Sequence, residues 1–346
     1  MEDLTGSVEE IQSHPSDQRP MPAIARKQIL FVVPSPLGDA LLTTGALNYL
    51  IEKNPDAAVT VICSRVNQPL FRAAPGVVRT IIIEKKRYGL HWIEAYLALT
   101  RRRWDVVADF RNVAIFRLLH SRARFHAAKR NFTRHKVEQN SQVLGIPAQD
   151  PKLWIDEAAR AKAAALLPAN TPLIGFGPMS SSPFKEWPPE RFAELARRLT
   201  GEHGALPGAR IVVFGTSQEK SRARKLLELL TPQSTIDLMG KTDPLEAAAC
   251  LSRLSLFVGN DSGPMHIAAA AGTPTLGLFG TGWPAVYRPW GKRTAYIARH
   301  VGLTPDQLRR VPHEQMPGLA MTDIQVDEVQ RAAEGLLANA VREEQA

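Results

Sequence analysis

Residues 255–280, SLFVGNDSGPMHIAAAAGTPTLGLFG, constrain the fold more than any other stretch of this chain. An apolar run from Leu254 to Val258 meets Gly259-Asn260-Asp261-Ser262-Gly263-Pro264. An alanine-rich segment follows, then Gly272-Thr273-Pro274 and a second apolar run to Phe279. The pattern reads as strand, tight polar turn, helix, strand. Pro264 suits the first helical turn, where no N–H is needed. Ala268 to Ala271 carry so little bulk that the helix can lie close on its sheet. The turn places a carboxylate, a hydroxyl and backbone N–H groups at a helix N-terminus. The first N–H groups of a helix lack partners and the dipole is positive there, which suits an anion. The same residues also make an ordinary capped crossover helix, so the stretch alone settles architecture and leaves function open.

The rest of the chain repeats this alternation. Gln28 to Val33 reads as a strand, and helical character runs from Gly38 to about Glu52. Ala58 to Cys63, Val78 to Ile83 and Trp104 to Phe110 are further β-rich runs, with helical stretches between them. Around 145–155, Gly-Ile-Pro and Asp-Pro interrupt the pattern and mark a junction. A second series follows: strands at Pro172 to Phe176, Arg210 to Phe214, Ile236 to Leu238 and Ser255 to Val258. Helices are expected at Pro189 to Thr200, Gln218 to Leu230 and Asp243 to Ser252. Short β-branched runs alternating with helices imply parallel sheets covered on both faces. The expected fold is α/β, with two Rossmann-like domains, 26–150 and 151–325, and ligands in the cleft beyond the carboxyl ends of their strands. Residues 326–346 read as an amphipathic helix and tail. Residues 1–25 are polar, lack a hydrophobic signal core, and read as a disordered leader.

Composition narrows the class. With 44% hydrophobic and 22% charged residues, the chain has the make-up of a globular protein. The two cysteines, Cys63 and Cys250, lie far apart in apolar surroundings and read as buried free thiols, which points to the cytoplasm. No apolar run approaches the roughly 20 residues that span a bilayer. The charge is unevenly placed. Between Arg79 and Lys136 stand fifteen Lys/Arg and four Asp/Glu, although the whole chain carries only +9. This segment is either a set of solvated helix faces or a basic face for a phosphorylated partner or an anionic membrane. No recognised nucleic-acid module accompanies it, so nucleic acid is not an expected partner.

Three more loops at strand ends carry candidate chemistry. Pro34-Ser35-Pro36-Leu37-Gly38-Asp39 is neither a dinucleotide fingerprint nor a Walker loop. Asp39 there is either a helix-terminus acid or a general base for an incoming hydroxyl; Ser35 and Gly38 lie in the same loop, and Thr43 and Thr44 either line the same site or simply pack. In Gly177 to Pro189, Ser180, Ser181 and Ser182 precede Lys185, which either neutralises a phosphate or lies on the surface. Trp187 reads as a structural anchor. In Gly215-Thr216-Ser217-Gln218-Glu219, Glu219 either holds a ribose diol or starts a helix. His266, one turn into the first-described helix, is either a packing residue or a group near the phosphates. His120, His126 and His135 lack metal-ligand spacing, so no metal is expected. No Ser/His/Asp hydrolase pattern is present.

Taken together, ILFVVPSPLGDALLTTGALNYL, FKEWPPERFAELARRL, VVFGTSQEKSRARKL and GNDSGPMHIAAAAGTPTLGLFGTGWP resemble the heptosyltransferases of glycosyltransferase family 9. The resemblance covers roughly residues 28–340. It implies a GT-B fold with an interdomain active site, an ADP-heptose donor, inversion at the anomeric carbon, no required metal and no other cofactor. It makes the first domain acceptor-binding and the second nucleotide-sugar-binding. By position, Asp39 resembles the family's catalytic base, Lys185 its phosphate-neutralising lysine and Asp261 its sugar-side carboxylate. Glu219, or its neighbour Gln218, is similar to the ribose-binding acid. Ser262 and Gly263 resemble the backbone donors to the diphosphate, and His266 matches the family's histidine; Ser35, Gly38, Ser180 and Ser181 line the same substrate sites. The implied acceptor is the inner core of lipopolysaccharide, a phosphorylated lipid-linked glycan at the inner membrane. The chain departs from the family at Ala320-Met321, where many members carry a Cys-Met pair. Other glycan or natural-product acceptors, a nucleotide-sugar epimerase and a non-catalytic binding protein are the alternatives.

Overall fold

The computed structural model describes residues 10–12, 26–129, 131–280, 282–299 and 319–345. They fall into two compact units. The first runs up to residue 130 and includes 136–154; the second takes 131–135 and everything from Ile155 onward.

The first unit is built on strands β1 (Glu10–Gln12), β2 (Gln28–Val32), β3 (Ala58–Cys63), β4 (Val77–Ile82), β5 (Trp104–Asp109) and β6 (Ser121–His126). They form one sheet in the order β1-β4-β3-β2-β5-β6, parallel except for β1, which pairs antiparallel with the edge of β4. Every side chain of β3 is buried, as expected of a strand covered on both faces. The strand order reverses between β2 and β5. An open α/β sheet binds ligands at such a reversal, because the loops leaving its two strands diverge and open a crevice.

The second unit contains β7 (Leu173–Gly177), β8 (Arg210–Val213), β9 (Thr235–Asp237), β10 (Leu256–Asn260), β11 (Thr275–Phe279) and β12 (Thr294–Ala298). All six are parallel, in the order β12-β11-β10-β7-β8-β9, and the reversal lies between β7 and β10. The backbones of β7 and β10 approach closely around Phe257. A Cβ on Gly177 or on Gly259 would lie 2.7 Å from the Phe257 ring. The last helix, Val326–Gln345, buries Val329, Ala333 and Leu336 in the same core as Phe176, Phe192 and Leu278.

Some expectations need correction. The leader is not wholly without structure, since residues 10–12 add a strand to the exposed edge of β4; the remainder of 1–25 lies outside the described residues. The helix expected from Gly38 to Glu52 is two helices, Leu37–Leu41 and Thr44–Lys53. The hydroxyls of Thr43 and Thr44 donate to the Ala40 and Leu41 carbonyls at 2.7 and 2.8 Å, local bonds that compete with a continuous helix. Both threonines are fully buried, so they pack and do not line a site. Cys63 and Cys250 are buried free thiols, pushed up to about 12 and about 11 by burial.

Candidate active site

In the second unit, both loops at the reversal converge on one ion pair. Lys185 Nζ lies 2.8 Å from Asp261 Oδ2. Lys185 closes the short 3-10 turn Pro183–Lys185 after β7, and Asp261 directly follows β10. Asn260, fully buried, holds the two loops in this relation. Its Nδ2 donates to the Pro178 carbonyl at 2.6 Å, and its Oδ1 accepts the Trp187 N–H at 3.2 Å. Trp187 is buried and donates from Nε1 to the Ile324 carbonyl at 2.9 Å, the anchoring role expected of it. A buried amide with both ends satisfied is costly to disturb, so the loop carrying Lys185 has a defined position. An ammonium has three donors, and Asp261 occupies one of them.

Ser180 is buried, and its hydroxyl donates to the Asp261 carbonyl at 3.2 Å. Its N–H donates to Glu186 Oε1 at 3.0 Å, and Glu186 also pairs with Arg222 at 2.8 Å. Burial pushes the Glu186 carboxyl up; the Ser180 N–H and the Arg222 charge oppose that shift. Ser181 is exposed on the same loop. Glu219 turns back on its own loop, accepting the Thr216 N–H and hydroxyl at 2.8 and 3.0 Å. That is the helix-start alternative in structural form.

Ser262 is the N-cap of the helix Gly263–Ala270, with Pro264 in its first turn. The Ser262 side chain does not cap the helix, and its Oγ is buried without a hydrogen-bond partner. His266 is 5% exposed, and its Nε2 lies 4.0 Å from Asp261 Oδ1. It therefore packs behind the carboxylate. Gly282 matters for the same reason: a Cβ there would lie 3.0 Å from Asp261 Oδ2. His135, contributed to this unit by the segment 131–135, stacks on Trp290 with centroids 4.6 Å apart. Its Nε2–H donates to the Arg288 carbonyl at 2.8 Å. Burial pushes its imidazole down to about 4, against that hydrogen bond and helped by the charges of Arg288 and His266.

The reversal in the first unit presents other groups. Ser35 is exposed, and Gly38 and the half-buried Asp39 lie in the first turn of the helix Leu37–Leu41. Asn67, fully buried, donates to the carbonyls of Pro34 and Ser35, each at 3.0 Å, and so fixes this loop. Beyond β5, the Asp109 carboxylate gathers the N–H groups of Arg111, Asn112 and Val113 at 2.9, 2.8 and 2.6 Å. Burial pushes that carboxyl up, while the three N–H bonds pull it down. The turn forces Asn112 to φ 61°, a left-handed conformation that asparagine tolerates. It presents Arg111 to Ser35, whose Oγ accepts from the guanidinium, and to the Trp92 ring at 4.8 Å.

Asn260, Glu186, Arg222, Gly282, Asp109 and Arg111 were not assigned roles from the sequence. Asp-Phe-Arg-Asn directly after an apolar strand was a usable signal for Arg111. Asp109, in the same run, acts on the residues that directly follow it, and the other four act through partners distant in sequence. Among the described residues no group of three or more His, Cys, Asp or Glu side chains could hold a metal ion, and no helix is long and apolar enough to cross a membrane.

Comparison with known proteins gives the family and the fold. The family model for glycosyltransferase family 9 (heptosyltransferase) matches residues 80–316. The chain is 27% identical over 277 residues to lipopolysaccharide heptosyltransferase 2 of Escherichia coli K12, covering 77% of this chain and 72% of that protein. It is 25% identical to lipooligosaccharide heptosyltransferase 2 of Haemophilus ducreyi, covering 90% and 99%. Among solved structures, a glycosyltransferase family 9 protein of Veillonella parvula superposes with a TM-score of 0.75 at 24% identity, covering 90% of this chain and 98% of that one. The E. coli ADP-heptose LPS heptosyltransferase II gives 0.71 at 22%, covering 92% and 100%. The fold of both is that of two Rossmann-like units, the GT-B fold expected from the sequence. With the family model spanning more than half of its length, the chain belongs to glycosyltransferase family 9, the heptosyltransferase family, and is a glycosyltransferase.

Proposed function

We propose that this chain moves a heptose from ADP-heptose to a Kdo or heptose of the lipopolysaccharide inner core, acting in the cytoplasm on a phosphorylated, lipid-linked acceptor. The observation that carries the reading is the Lys185–Asp261 pair, set beside a helix N-terminus at the strand-order reversal of the second unit. The relatives named as lipopolysaccharide heptosyltransferases support the donor and the acceptor class. Transfer is a single displacement. The acceptor oxygen bonds to the anomeric carbon from the face opposite the diphosphate, the C–O bond to the diphosphate breaks, and inversion results. Asp39 takes the hydroxyl proton as the new bond forms.

Negative charge grows on the departing diphosphate. Lys185 and the first N–H groups of the helix Gly263–Ala270 oppose it with fixed positive potential, so little reorganisation is needed at the moment of reaction. Ser262 and Gly263 act through their backbone N–H groups. Asp261 holds Lys185 in place and accepts from the sugar hydroxyls, while His266 backs its carboxylate. Ser180 and Ser181 line the phosphate loop. Glu219 leaves Thr216 to take the ribose diol, an exchange of one pair of hydrogen bonds for another. Ser35 and Gly38 line the acceptor side with Arg111, whose guanidinium suits a carboxylate or phosphate of the acceptor. Excluding water when both substrates are bound keeps hydrolysis of the donor from competing.

Incubating the protein with several nucleotide sugars and Kdo-containing lipid A, read by mass spectrometry, tests this reading. The expected result is one heptose added, from ADP-heptose only. Donor turnover without acceptor would favour an epimerase. Tight ADP binding with no transfer to any glycan would favour a binding protein.

A further inference from the structure

We propose that the helix Leu90–Thr100, with the basic turns at its two ends, is a docking face that seats the first unit on an anionic lipid bilayer. The helix buries one stripe and exposes another. His91, Ala95 and Leu99 are buried, and Ala95 and Leu99 share a core with Trp104 and Phe116. On the other stripe Leu90, Ile93 and Leu97 are 48%, 47% and 61% exposed. Their spacing of three and four puts them on one face, an apolar row facing water. Tyr88, 81% exposed, extends the row at the N-terminal turn, where left-handed backbone at Tyr88 and Gly89 makes the chain protrude.

Cations bracket this row. Lys85 and Arg87 are exposed before the helix, and Arg101, Arg102 and Arg103 are exposed directly after it. The one acid in the helix, Glu94, is paired with Lys86 at 2.7 Å. Exposed aliphatic residues in a row, an amphipathic tyrosine and a cationic rim are the composition of an interfacial helix. At about 16 Å, eleven residues lie on a bilayer and do not span it. The charge also discriminates between occupants. A second copy seated on this face would set the cationic ends of the two helices against one another, whereas an anionic headgroup layer neutralises them.

The face is connected to the acceptor loop. Trp92, from the same helix, carries the Arg111 guanidinium that contacts Ser35. A lipid-borne acceptor would therefore meet Arg111 next to the point of docking; this link, unlike the docking face, rests on the proposed function.

Co-sedimentation of the full chain with vesicles of phosphatidylcholine, alone or with about a third phosphatidylglycerol, tests the proposal. The expected result is binding to the anionic vesicles, weakened by salt and at least about tenfold weaker for the Leu90→Ser, Ile93→Ser, Leu97→Ser triple variant, which keeps every charge. Arg101→Ser, Arg102→Ser, Arg103→Ser should remove most of the salt dependence. Both variants should melt like the parent protein and keep turnover on a water-soluble acceptor. Leu97→Trp, a milder change, should show a blue-shifted emission on adding anionic vesicles. Parent protein that stays in the supernatant overturns the proposal. So does a triple variant that binds equally well, or one that loses self-association in place of vesicle binding. Vesicle binding without transfer to any lipid-linked glycan would support the docking face and count against the proposed acceptor.

Discussion

The two strand-order reversals share one topology and differ in how they are finished. At the second unit's reversal, charged groups already hold one another: Lys185 on Asp261, Arg222 on Glu186, Glu219 on its own loop. At the first unit's reversal, Ser35 is exposed, Asp39 is half-buried in the first turn of its helix, and the bonds of the Asp109 carboxylate shape the loop presenting Arg111. The difference fits a division of labour. A charged diphosphate calls for preorganised positive potential, whereas a base must be left accessible to an incoming hydroxyl. Both loops are held from behind by a buried asparagine, Asn260 in one unit and Asn67 in the other.

The sharpest way to break this comparison is at Asp39. Asp39→Ala should lower kcat by at least about a hundredfold, the low end for loss of a general base; steady-state kinetics near the parent value would remove Asp39 from the chemistry. Next come Lys185→Ala and Asp261→Ala. Each removes one partner of the ion pair, and each should raise KM for the nucleotide sugar and lower kcat, by about tenfold or more in kcat/KM. Unchanged kinetics for Lys185→Ala would make it a surface lysine. Asn260→Ala orphans the Trp187 N–H and the Pro178 carbonyl. It should cost about 2–4 kcal/mol in denaturant unfolding and weaken donor binding, and Asn260→Asp should not restore stability, because its carboxylate sets an acceptor against the Pro178 carbonyl.

His135 gives a pH signature confined to the second unit. In the folded protein its imidazole stays neutral down to about 4, whereas an unfolded chain takes up the proton near 6.5. The unfolded state thus binds more protons in that window. Stability contributed by His135 is complete above about pH 6.5 and declines as pH falls toward 4, by about 3 kcal/mol at the lower end. Thermal melting across this range should show the decline in the parent and a flatter profile in His135→Gln. The smallest effect belongs to Ser262. Its Oγ has no hydrogen-bond partner and the proposed function uses only its backbone N–H, so Ser262→Ala should stay within about threefold of the parent in kcat/KM.

Much of this was legible before the structure. Period and punctuation sufficed for the inner strands of both sheets, because strands buried on both faces read as continuous apolar runs and the turns between them carry Gly, Pro and Asp; the edge strands Glu10–Gln12 and Thr294–Ala298 were not read. The segment SRARFH did not read as β6, since an edge strand with alternating arginines looks like a charged surface. Thr43 and Thr44 read equally as site or core, because a hydroxyl that bonds its own helix is indistinguishable in sequence from one that binds substrate. The candidate site was legible where one loop carries its own chemistry, as at Asp261-Ser262-Gly263 and Lys185, which the fold brings together. It was illegible where the role depends on a partner across the fold. Nothing local reveals that Asn260 clamps Pro178 and Trp187, that Gly282 leaves room for the Asp261 carboxylate, or that Glu186 joins Ser180 to Arg222.

The division of labour between the two reversals is tested most directly by calorimetric titration of ADP-heptose into Asp39→Asn and Lys185→Ala alongside the parent. The account predicts parent-like donor affinity for Asp39→Asn, despite its lost turnover, and a clear loss of affinity for Lys185→Ala. Donor affinity that falls in Asp39→Asn and survives in Lys185→Ala would contradict it.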